Sequence, residues 1–265
     1  MGWDDVDDVP DDERVAEWKL RAVAIPAALT IAALFHLWST GRFLQRTFFA
    51  MQLHELGHAV TAWWSGVRAI PVLWKTMIAP ERSAFVGLLV ATFNGYLIVR
   101  GGLQRRYLMV AIGAALLVLQ LVASFATSGE HAQMWIIFGG DGGAMVLGTV
   151  LMACFFVGPD SPLHRGGVRW GLLVIGAASF VDTFAMWWSA RRDPDVIPFG
   201  EIEGVGQSDP SKLTEVFGWS QQRLIHSYVT LGVTCLVVLV AVWAWSVWLA
   251  RRLDVVAGRV EHDAK

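Results

Sequence analysis

Of 265 residues, 55% are hydrophobic and only 17% charged, well below the roughly 25% charged residues of a soluble domain. A formal net charge of −2 argues against a polyanionic partner such as nucleic acid. The only two cysteines, Cys154 and Cys235, lie in apolar runs, which argues against a disulfide scaffold or a cysteine-based zinc site. Several apolar runs reach about 20 residues, the length that crosses a bilayer as a helix. They predict an all-α polytopic membrane protein of six to seven transmembrane helices.

In chain order, residues 1–18 form an acidic polar tail (Asp4, Asp5, Asp7, Asp8, Asp11, Asp12, Glu13), unlike the basic start of a cleaved signal peptide. A single integral membrane domain is expected over 19–250, followed by a polar tail over 251–265. The first span covers 20–38, with Pro26 near its start and His36 at its far end. The second covers 43–64. Residues 65–83 are mixed in polarity, and 69–73 and 75–78 read as short strands or an interfacial loop. Residues 84–99, with Asn94-Gly95 inside, read as a short third span or a re-entrant piece. Clear spans follow at 107–126, 133–157, 168–188 and 228–249, the last stopped by Arg251-Arg252. Between the last two lies a long polar segment, 189–225, which reads as a surface loop, with a structured cap or a partner-docking segment as the alternative. Trp18, Trp38, Trp63, Trp64, Trp135, Trp187, Trp188 and Trp248 sit near run ends, as an aromatic belt at the lipid–water interface would. Arg and Lys divide almost evenly between the two sides, so the positive-inside rule does not orient the chain.

The second span carries His54-Glu55-Leu56-Gly57-His58. Residues four apart share a helix face, so His54 and His58 can present two imidazole nitrogens to one metal ion, with Glu55 close enough to take a proton from a metal-bound water. Ionisable groups at membrane depth are costly and mark functional sites. A catalytic zinc site needs three protein ligands and one open position. Asp141, flanked by glycines over 139–143, is the best third ligand, since a glycine-rich break would bring backbone close to the metal. Asp182 in the next span is the rival, either as a ligand or as a partner of a metal-bound histidine.

His54-Glu55-Leu56-Gly57-His58-Ala59 followed by Asp141-Gly142-Gly143 resembles the site-2 protease family of intramembrane zinc metalloproteases, over a core of about 44–157. The resemblance implies Zn2+ held by His54, His58 and Asp141, and Glu55 as general acid/base. Asn94 would correspond to that family's polar residue on the intervening helix. The family places one helix between the two metal-binding helices, whereas 84–99 and 107–126 both fall between them here.

The expectation is therefore a zinc metalloendopeptidase that hydrolyses peptide bonds of a transmembrane protein or peptide substrate. It would sit among membrane lipid as a multi-pass protein of a bacterial cell membrane. The loop 65–83 and the stretch 139–143 would hold the unwound substrate by strand-like pairing. The alternative is a non-catalytic protein of the same descent that keeps the zinc for structure or binds clients without cutting them. A haem protein or transporter fits less well, because a four-residue histidine spacing suits one small ion.

Overall fold

The computed structural model describes residues 11–158, 161–202 and 206–263, with backbone alone for 11–16, 165–166, 202 and 254–263. Among them, six helices are long and apolar enough to cross a membrane: Glu17–Leu37, Ala84–Leu103, Tyr107–Ala126, Gly129–Phe156, Val168–Ser189 and Gln221–Leu253. Large apolar side chains such as Leu34, Phe85, Leu89, Val237 and Trp245 lie more than half exposed on them. In water such a surface would associate; facing lipid it is at rest. The chain is an all-α polytopic membrane protein.

The helix that carries the two histidines is not one of the six. After α1 (Asp11–Leu37), the chain turns into α2 (Ser39–Gln45), a π-helical turn (Arg46–Ala50) and then α3 (Met51–Trp64). Gln45, Arg46, Ala50 and Met51 all keep right-handed helical dihedrals, so the helix runs unbroken from Ser39 to Trp64 and rises about 39 Å, enough for the ~30 Å hydrocarbon core. Its polar residues, not its length, set it apart. The run 84–99 belongs to a full 20-residue helix, α4 (Ala84–Leu103). The 65–83 segment folds as an antiparallel hairpin of β1 (Val67–Pro71) and β2 (Thr76–Arg82).

The tails are also shorter than their polarity suggests. Helix α1 begins at Asp11, so it takes in the second half of the acidic tail, whose first ten residues lie outside the described ones. Glu17 accepts from Arg21 at 3.0 Å and from Arg169 at 3.1 Å. The last helix, α9 (Gln221–Asp263), runs straight through Arg251-Arg252 into the C-terminal tail.

The packed centre is α3 against α6 (Gly129–Ala153), with α7 (Val168–Ser189) and α9 behind. Glycine sets the α3–α6 distance. A Cβ on Gly57 would collide with the Gly139 carbonyl, and a Cβ on Gly143 with the Gly57 backbone. The 139–143 stretch therefore does not break its helix as the sequence suggested. Helix α6 is continuous through it, and the glycines serve close backbone approach between helices. By contrast, α4 and α5 (Tyr107–Leu121) form a peripheral hairpin with few buried residues. Asn94 Nδ2 donates to Gln120 Oε1 at 3.0 Å, and Gln120 Nε2 to the Gly87 carbonyl at 2.6 Å. Asn94 thus holds two helices together away from the histidines.

Candidate metal centre

Helix α3 points His54 and His58 at the glycine face of α6. A Cβ on Gly140 would come within 2.6 Å of His54 Cε1 and 2.7 Å of His58 Nε2, so glycine there leaves room for both imidazoles. The two Nε2 atoms lie 3.1 Å apart. The third group comes from the polar segment after α7. Asp209 Oδ2 lies 2.8 Å from His58 Nε2 and 3.1 Å from His54 Nε2. Two ligand atoms on one tetrahedral zinc, each about 2.0–2.1 Å away, stand about 3.3 Å from each other. His54, His58 and Asp209 form the one His/Cys/Asp/Glu group among the described residues with such convergence.

Hydrogen bonds on the far side of each ring assign the tautomers. His58 Nδ1 lies 2.7 Å from the Ile136 carbonyl, which only accepts, so this nitrogen carries the proton. His54 Nδ1 donates to Asp141 Oδ1 at 2.9 Å. In the neutral rings both Nε2 atoms are then lone pairs, and they face each other and a carboxylate oxygen. Three acceptors aimed at one point require a cation there, a shared proton or a metal ion. Two imidazoles and one carboxylate form a donor set suited to zinc.

Asp141, expected as the third ligand, is committed elsewhere. Oδ1 faces His54 Nδ1, and Oδ2 accepts the Trp187 indole N–H at 2.8 Å. It sits on the Nδ1 side of His54, where a carboxylate can support a histidine whose Nε2 binds a metal. Asp182, the rival, is ion-paired with Arg46 Nε at 2.8 Å, with His36 Nδ1 at 3.5 Å. Neither it nor Asn94 reaches the histidines. Glu55 is buried beside them, and its Oε2 lies 2.7 Å from the Thr76 hydroxyl on β2.

Asp209, Thr76 and Trp187 were not singled out by sequence reasoning. The 189–225 segment is a docked cap, not a surface loop. Buried Ile197, Leu213 and Trp219 anchor it in the main core cluster. Ser208 caps a short helical turn, α8 (Asp209–Ser211), and the Gly200 N–H donates to Ser211 Oγ at 2.8 Å. Ser208-Asp209-Pro210 is a helix-start signature, and with the apolar anchors it was the available signal. The His54–His58–Asp209 group thus reaches beyond 44–157. Trp187, expected in the aromatic belt, is fully buried.

Comparison with protein-family models, with curated proteins and with solved structures finds no match for this chain.

Proposed function

We propose that the protein is an intramembrane zinc metalloprotease that cuts membrane-embedded polypeptides. The observation that carries this reading is the convergence of His54 Nε2, His58 Nε2 and Asp209 Oδ2 on one point, one residue away from a buried glutamate that no structural metal site requires. Three protein ligands also leave a fourth tetrahedral position for water, the pattern of catalytic rather than structural zinc.

A bound zinc ion supplies Lewis-acid chemistry, activating a water at neutral pH and polarising a carbonyl. The protein's own groups do the rest. Glu55 takes the water's proton and returns it to the leaving amine. The Thr76 hydroxyl orients the Glu55 carboxylate. The hairpin offers unpaired strand edge beside the site, with Ile70, Leu73, Trp74 and Met77 more than half exposed, so an unwound substrate segment can add as a strand.

The test is cleavage of a panel of transmembrane peptides by the purified full-length protein, wild type against Glu55→Gln. Removing a general base costs on the order of 10²–10⁴ in rate, so the variant should be inactive within detection while it still binds zinc. Wild-type cleavage that persists undiminished in Glu55→Gln would rule out this assignment of Glu55.

A further inference from the structure

Two adjacent tryptophans end α7 and occupy opposite environments. Trp188 is 44% exposed, with the Arg191 guanidinium over its ring, as suits the lipid–water interface. Trp187 is 0% exposed. Its indole stacks on Tyr228 with ring centroids 4.2 Å apart, and Tyr228 stacks on Phe138 at 4.4 Å. The Tyr228 hydroxyl donates to the Phe138 carbonyl at 3.2 Å. This stack fixes the plane of the indole and therefore the direction of its single donor.

That donor ends on Asp141 Oδ2 at 2.8 Å, while Asp141 Oδ1 accepts a hydrogen bond from His54 Nδ1 at 2.9 Å. An indole N–H is a donor only, and a buried one needs an acceptor. With Oδ2 held by Trp187, the carboxylate cannot rotate, and Oδ1 stays in position for His54. The imidazole in turn keeps its proton on Nδ1 and its lone pair on Nε2, facing His58 and Asp209.

We propose that Trp187 is a positioning residue of the metal centre, which sets metal affinity through Asp141 and His54 without touching the metal. The proposal rests on the metal-site reading above. Outer partners of metal-bound histidines are typically worth 10–100-fold in affinity.

The experiment measures zinc affinity of the detergent-solubilised full-length protein by chelator competition. Trp187→Phe keeps an aromatic ring on Tyr228 and removes the N–H; affinity should fall about 10–100-fold. Tyr228→Phe keeps the stack and should bind zinc as wild type does. Because Trp187 acts through Asp141, adding Trp187→Phe to Asp141→Asn should cost much less than it does alone, the non-additivity of a shared pathway. A merely structural tryptophan would instead give two losses that multiply. If Trp187→Phe does not accumulate folded, β-(3-benzothienyl)alanine at 187 preserves the indole shape with sulfur in place of N–H, and the same loss is expected. Wild-type affinity in a folded variant lacking the N–H, or multiplying losses in the double variant, would overturn the proposal. A wild-type protein that takes up no zinc fails the metal-site reading itself, a separate result.

Discussion

Asp141 and Asp182 are both buried carboxylates within apolar helices, one on α6 and one on α7, yet their surroundings give them different roles. Asp182 faces a fixed cation. Arg46 Nε at 2.8 Å neutralises it, and the pair ties the π-helical turn before α3 to α7. Asp141 accepts from the His54 and Trp187 N–H groups. It thereby turns the His54 lone pair toward His58 and Asp209, an array of acceptors that needs a cation from outside. Depth and burial mark both carboxylates as costly; only the partner distinguishes an internal strut from a support of the proposed metal centre. Lys212 approaches Asp209 as well, but at 3.4 Å from Oδ1, leaving Oδ2 to the histidines.

The contrast can be broken experimentally. Thr76→Val sharpens the metal-centre side. It removes the hydroxyl that contacts both the Glu55 carboxylate and its carbonyl, and a bond to a charged group is worth about 1.5–3 kcal/mol, so melting temperature should drop and cleavage should fall roughly tenfold or more, with zinc affinity close to wild type. Equal rates in Thr76→Val would take the hairpin out of the chemistry. On the other side, Asp182→Ala leaves Arg46 without its partner, and because the Arg46 side chain is 36% exposed the cost is that of a partly solvated ion pair, about 1 kcal/mol. The expected result is a small drop in thermal stability with zinc stoichiometry unchanged; loss of zinc in a folded Asp182→Ala protein would merge the two centres into one.

Much of this architecture was legible in the chain. Apolar run lengths predicted the membrane class, and His54-Glu55-Leu56-Gly57-His58 marked the helix that matters. Three features were not legible. Glycines at 139–143 read equally as a helix break or as a packing face, and only the partner helix decides; Gly57 across the seam makes them a packing face. The 84–99 run looked too short because Arg100 and Gly101 interrupt its hydropathy, though helical geometry continues to Leu103. Asp209 was hidden because hydropathy ranks a polar segment as surface, while tertiary anchors at Leu213 and Trp219 draw this one into the bundle. Asp141 was found for a sound reason, its burial, but residue type and depth do not say which face of an imidazole a carboxylate meets.

The central claim is that Asp209 binds the metal and Asp141 supports a ligand. Zinc content of purified protein tests it most directly, with wild type, Asp209→Ala and Asp141→Ala measured side by side across a chelator series. The account predicts zinc in wild type, loss of zinc in Asp209→Ala even without chelator, and zinc in Asp141→Ala that is retained at first and stripped at roughly 10–100-fold lower chelator strength. Full zinc in Asp209→Ala with none in Asp141→Ala would contradict it and return the third ligand to α6.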